Sequence, residues 1–145
     1  MSAIYTSLRL VAPDDIDEQG HVGNLTILAW LQAAAVAHST QQGWSPERYL
    51  ACGMGWVVRS HTIQYRSFAF EGDQVAVRTW VARFKKVSSL RCYEVRRVAD
   101  GRLLASAQTE WAFWDRVSQA PKRIPPELRD AFPVLQTSES GAETH

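Results

Sequence analysis

Asp17-Glu18-Gln19-Gly20-His21-Val22-Gly23-Asn24 runs directly into the apolar segment Leu25 to Ala37. That order places a carboxylate just ahead of a segment that reads as a helix. The first turn of any helix carries backbone N–H groups with no partner inside the helix. An aspartate is ionised at neutral pH unless it is buried and unpaired, so it can act as a base or a nucleophile. Unpaired amides, helped by the helix dipole, can hold negative charge as it develops on a carbonyl oxygen. The two together suit acyl chemistry. Asp14 and Asp15, in the same acidic cluster, read as solvated turn residues. Gly20 and Gly23 fall where the backbone needs unusual angles or a close approach to a ligand. His21 could serve as a general acid, but a structural imidazole packed under the loop is the simpler reading.

The elements that must position this junction follow from periodicity. Residues 4–11 alternate, with Tyr5, Ser7, Arg9 and Val11 opposite Ile4, Thr6, Leu8 and Leu10, as in a half-buried strand. A helix is expected over residues 24–41, with Leu25, Leu28, Leu31, Gln32, Ala35 and Val36 as its inward stripe. Asn24 or the residue before it would cap its start, and Gly43 would end it. Ala33, Ala34, Ala35 and Ala37 make it thin, suited to close packing on a sheet. At about 1.5 Å per residue it would be roughly 27 Å long. Ser45-Pro46-Glu47 begins a short second helix through Leu50. Strands are expected over 56–70, 74–84, 89–99 and 102–115, joined by Glu71-Gly72-Asp73, Lys85-Lys86 and Asp100-Gly101. Three prolines then stop regular pairing, and residues 127–132 add a helical turn. One amphipathic helix against a curved antiparallel sheet of about five strands is an α+β arrangement.

Composition narrows the rest. A chain of 145 residues reads as one domain, 1–135, able to bury a core without metal or disulfide staples, followed by a disordered polar tail, 136–145. A formal net charge of +1 gives no reason to expect nucleic-acid binding or a membrane-surface patch. No metal-ligand spacing occurs. Cys52 and Cys92 read as reduced thiols buried as small hydrophobes in a cytoplasmic protein. The start lacks the features of a signal peptide, and the longest apolar stretch is interrupted by Gln32, so no membrane insertion is expected. Six tryptophans suit a thick core or an interface between subunits. His38 and His61 have no evident partners in sequence.

The stretch from Asp17 to Asn24 resembles the Asp-x-x-Gly-His-Val-Asn-Asn signature of hotdog-fold acyl-CoA thioesterases, in the branch that includes 4-hydroxybenzoyl-CoA thioesterase. Further resemblances follow in order: Ile63-Gln64-Tyr65, the Glu71-Gly72-Asp73 turn, Asp115, and Ile124-Pro125-Pro126-Glu127-Leu128. Together they cover about residues 4–132. The chain departs from the family at Ile27, where tyrosine is frequent, and at Gln32, where glutamate is frequent. It also departs at Gly23, in place of the first asparagine, and at Phe68-Ala69, in place of Pro-Ala. Gln32 cannot ionise, which leaves Asp17 as the family-supported acid.

The resemblance implies a hotdog fold and hydrolysis of an acyl or aryl thioester to free acid and coenzyme A. Asp17 would be general base or nucleophile, and the backbone amide of Asn24 the oxyanion donor. Gly20, His21, Val22, Gly23, Lys85 and Lys86 would contact substrate, the lysines (with Arg83 and Arg91 nearby) at the coenzyme A phosphates. Ser88 and Ser89 would bond ligand or merely turn the chain. Trp30, Trp56, Phe68, Phe70 and Trp80 are candidates for the acyl pocket. No cofactor or metal is implied. The thioester would be carried by coenzyme A or an acyl-carrier protein, and the protein would assemble as a homodimer or homotetramer. The competing reading is a non-catalytic acyl-CoA-binding protein on the same scaffold.

Overall fold

In the computed structural model, residues 3–136 are described; of the expected tail, residues 137–145 lie outside them. Strand β1 (Tyr5–Leu10) leads through a single 3-10 turn (Pro13–Asp15) to the long helix α1 (Asn24–Gln41) and the short α2 (Pro46–Ala51). Then come β2 (Met54–Tyr65), β3 (Gln74–Phe84), β4 (Ser88–Arg97), β5 (Leu103–Asp115), the two-residue β6 (Ala120–Pro121) and α3 (Pro126–Asp130). All pairings between these strands are antiparallel, in the order β1-β3-β4-β5-β2, with β6 on the end of β5. β1 and β2 are therefore the edges. This is the helix-on-curved-sheet arrangement expected above.

Two buried clusters hold α1 and the sheet together. Near the start of α1, Ile27, Trp30, Leu31, Ala34 and Ala35 pack on Val75, Val77, Tyr93, Val95 and Leu104 of the sheet. Toward its end, Trp44, Tyr49, Val81, Phe113, Ile124, Leu128 and Phe132 form the second. Ser45 caps α2 by accepting the Arg48 N–H, with Pro46 in the first turn. The N-cap of α1 is Gly23, and Gly43, at φ +96°, turns the chain just past its end.

Several expectations need correction. The buried stripe of α1 is Ile27, Trp30, Leu31, Ala34, Ala35 and His38, which shares only Leu31 and Ala35 with the stripe expected from sequence. Leu25 and Val36 are 77% and 50% exposed. The helix is apolar on nearly every side, so spacing alone could not select a face. β2 ends at Tyr65 rather than running on to Phe70. The N–H groups of Arg66 and Ser67 both donate to Leu104 O, which closes the ladder, and residues 66–73 form a loop. Cys52 is exposed; only Cys92 is buried.

Candidate active site

The Asp17 loop is a small closed turn. Ile16 and Val22 form an isolated antiparallel bridge. Within it the Asp17 N–H donates to His21 O (2.9 Å) and the Gly20 N–H to Asp17 O (3.0 Å). Gly20 sits at φ +91°, where a side chain would be strained. Asp17 Oδ1 accepts the Gln19 N–H at 2.8 Å, which fixes the carboxylate and leaves Oδ2 without a partner among the described residues. Oδ2 lies against Gly23: a Cβ built there would sit 3.3 Å from both Oδ2 and Asp17 Cβ. Gly23 has an ordinary φ of −75°, so its value here is room for the carboxylate, not backbone freedom. That gives a physical reason for glycine where the resembled signature has asparagine.

Next to Gly23 come the first amides of α1. The first bond of the helix is from Ile27 N–H to Gly23 O (3.1 Å). Among the described residues the N–H groups of Asn24, Leu25 and Thr26 have no acceptor. A free carboxylate oxygen and unpaired amides thus meet at one helix start.

A second loop holds this one. The His21 ring stacks on Phe68 (centroids 4.0 Å, 19°), and its Nδ1 donates to Val22 O at 3.2 Å, as it must to a carbonyl. Val22 N–H donates to Ala69 O. Arg97 clamps the same 66–73 loop, with Nη2 on Phe68 O (2.7 Å) and Nε on Asp73 Oδ2 (3.2 Å). In this chain His21 therefore packs and orients the loop.

Lys85 and Lys86 are exposed in the β3–β4 link. Lys86 O accepts the Ile124 N–H and Lys85 O accepts Arg129 Nη2, which ties the C-terminal segment down. Within one chain the structure does not bring them to Asp17. β3 starts beside the Asp17 loop, where Asp73 O accepts the Val11 N–H, and runs 11 residues away before reaching Lys85. At about 3.3 Å per residue that is up to roughly 36 Å.

The end of the molecule near Lys85 contains a cavity of about 300 Å³ walled by Trp44, Tyr49, Trp56, Phe84, Trp111 and Phe132. Of the aromatic candidates read from sequence, only Trp56 lines it. Trp30 and Trp80 are buried in other clusters, and Phe68 and Phe70 are exposed at the Asp17 end. The walls are pinned by a hydrogen-bond relay whose direction is fixed. Trp56 Nε1 donates to Tyr49 Oη (2.9 Å), and Ser39 Oγ donates to Trp44 O (2.7 Å). Tyr49 Oη must then donate to Ser39 Oγ (3.1 Å). Burial raises the Tyr49 pKa, so the phenol keeps its proton.

Arg91, which the resemblance sets near the coenzyme A phosphates, also lines the cavity. It is 7% exposed and inside the protein. Its Nη1 donates to His38 Nδ1 (2.9 Å) and to Thr79 Oγ1 (3.0 Å), and Thr79 in turn donates to Cys92 O. His38, 1% exposed, is held between the Tyr5 ring and the edge of Phe132. Burial, reinforced by Arg91, lowers the His38 pKa to about 4, so the imidazole is neutral and its Nδ1 accepts. Both residues were missed as a pair. The available signal was a basic residue inside the apolar run Leu90-Arg91-Cys92-Tyr93. His61 has a partner too, with Nδ1 2.7 Å from Thr109 Oγ1. Ser88 and Ser89 are buried, and Ser89 lines the cavity. Among the described residues no group of three or more His, Cys, Asp or Glu could hold a metal, and no helix is long and apolar enough to cross a membrane.

Comparison with known proteins places these features in a family. An acyl-[acyl-carrier-protein] hydrolase from Cuphea viscosissima is 27% identical over 126 residues, which cover 77% of this chain but 30% of that protein. The chain therefore matches only about a third of the length of its curated relatives. A 1,4-dihydroxy-2-naphthoyl-CoA thioesterase from Synechocystis superposes with a TM-score of 0.82 at 20% identity, covering 88% of this chain and 94% of that one. A Staphylococcus aureus protein solved in complex with CoA superposes at 0.84 and 12% identity, covering 91% and 87%. These structural likenesses establish the hotdog fold. The profile of the Thioesterase-like superfamily matches residues 11–132, and the chain belongs to that superfamily.

Proposed function

We propose that the protein hydrolyses acyl or aryl thioesters of coenzyme A or an acyl-carrier protein. The observation that carries this reading is the free Oδ2 of Asp17 beside the unpaired amides at the start of α1. In the general-base route Asp17 takes a proton from water as the water oxygen bonds to the thioester carbonyl carbon. The Asn24 N–H, with the helix dipole behind it, holds the resulting oxyanion. Collapse of the tetrahedral intermediate breaks the C–S bond, and the thiolate leaves with the proton that Asp17 carried. In the nucleophilic route an Asp17 oxygen bonds to the carbonyl carbon, the adduct collapses with cleavage of the C–S bond and loss of the thiolate, and water then opens the mixed anhydride, its proton going to the thiolate. Single turnover in ¹⁸O-water that leaves label in the enzyme carboxylate, with unlabelled enzyme oxygen in the acid product, marks the second route with water attacking the aspartyl carbon.

The acting unit in this reading is a homodimer. The cavity lies beside the later half of α1, and Ala35, one of its walls, is about 17 Å along the axis from Asn24. One chain therefore separates acid from cavity. β2 is a 12-residue free edge that begins at the cavity, with Gly55 and Trp56, and ends at Tyr65 beside the loop that carries Phe68 against His21. Antiparallel pairing of two β2 edges about a two-fold axis sets the cavity end of one protomer against the Asp17 end of the other. It also covers the exposed Leu25 and Val36 side of α1. In this arrangement Lys85 and Lys86, at the cavity end, bind the phosphates of a coenzyme A whose thioester reaches the partner's Asp17.

A panel of short-chain, long-chain and aromatic acyl-CoA esters, with acyl-carrier-protein and pantetheine thioesters alongside, tests this by release of free thiol. Turnover of at least one class, with specific activity falling on dilution below the dimer constant, is the expected result. Tight binding across the panel without thiol release would replace the enzyme with a binding protein.

A further inference from the structure

The cavity contains a cation with no counter-charge. Among the described residues no carboxylate lies within ion-pair distance of Arg91, and the polar groups around it, His38, Thr79, Tyr49 and Tyr93, are neutral at physiological pH. Removing a guanidinium from water costs several kcal/mol, and buried charges are ordinarily paired. Arg91 is also half used. Both hydrogens of Nη1 are engaged, by His38 and Thr79, which leaves the Nε–H and the two Nη2–H donors without partners among the described residues. The Nε–Nη2 edge is the fork that fits the two oxygens of a carboxylate side by side. Arg91 keeps 7% of its surface and is one of the residues that line the cavity. His38, wedged between Tyr5 and Phe132, and Thr79, on the sheet, fix the other side of the guanidinium. Arg116 adds a second, exposed cation at the rim, beside Gly55.

We propose that this cavity is the acyl subsite and that Arg91 selects thioesters whose acyl or aryl group carries a second, free carboxylate far from the thioester. The inference rests on the hydrolase reading and deepens it. The aromatic walls take the carbon skeleton, and the Nε–Nη2 fork of Arg91 closes on the anionic end. The product is then a dicarboxylic acid, and the reaction that supplies the substrate is one that activates a single carboxyl of such an acid.

The test compares adipoyl-CoA, which has a free distal carboxylate, with its methyl ester. Calorimetric binding of monomethyl terephthalate and of neutral dimethyl terephthalate runs in parallel. Wild type should favour adipoyl-CoA in kcat/KM by about tenfold or more and bind only the monoanion. R91M, of similar volume and no charge, should erase or invert both preferences, while R91K should keep part of them. Equal or reversed preference in wild type, with thiol still released, overturns the anion site and leaves the hydrolase standing. No thiol release from any ester, together with Arg91-dependent binding of the monoanion, keeps the anion site and overturns the hydrolase. Should R91M fail to fold, the wild-type ratios decide alone.

Discussion

At the start of α1 the proposed working group is an exposed acid, Asp17, held by one amide and set against amides that have no acceptor among the described residues. At the other end it is a buried base, Arg91, held by a neutral histidine and a threonine inside aromatic walls. The acid is in water, and its geometry depends on a short loop. The cation is out of water, so its charge is expensive, and its geometry depends on side chains from four distant parts of the chain. An exposed group of this kind is tuned by position, and a buried one by what surrounds it.

Substitutions should separate the two ends. The largest effect is expected from Asp17→Asn, which keeps the Gln19 contact but removes the base. Thioester turnover should fall by about 10² to 10⁴ with substrate binding retained, read as kcat against the dissociation constant. A loss confined to KM would move the chemistry elsewhere. At the cavity end the cost should appear in folding instead: Phe132→Ala removes a wall and the edge contact to His38, and urea unfolding should show about 3 kcal/mol less stability.

The buried end should also carry a pH signature. Folding lowers the His38 pKa from 6.5 to about 4, so between those values the unfolded chain binds the extra proton. Its contribution is complete above pH 6.5 and is lost as pH falls toward 4, at no more than about 1.4 kcal/mol per pH unit. His38→Gln keeps an acceptor for Arg91 without that titration, so its stability should flatten across the same window. A slope unchanged in His38→Gln would assign the effect to other groups. The smallest change is expected from Gly23→Ala, which presses a methyl group on Asp17. It should lower kcat by about tenfold through misplacement while the melting temperature barely moves.

The same contrast explains what could be read from the sequence. The Asp17–Asn24 junction is contiguous, so its residues, its glycine at φ +91° and its helix start were all visible in eight positions. The succession of strands along the chain and the turn at Gly72 were visible for the same local reason, but the pairing of β2 with β5 rather than β3 was not. The cavity takes Ser39 from α1, Tyr49 from α2, Trp56 from β2, Phe84 from β3, Arg91 from β4, Trp111 from β5 and Phe132 from beyond α3. No periodicity links those positions. The inward face of α1 is only partly legible because Leu25, Leu28 and Val36 are as apolar as Ile27 and Trp30, and only the sheet decides between them. Lys85 and Lys86 could be placed in a link between strands, but not at the opposite end from Asp17, because that depends on the direction in which β3 runs.

Three of the six indoles, Trp44, Trp56 and Trp111, border a single hollow, and Trp56 is tethered there by its own N–H. Half of the chain's ultraviolet emission should therefore report whether that hollow is filled. The protein carries its own optical gauge of occupancy, readable without a label.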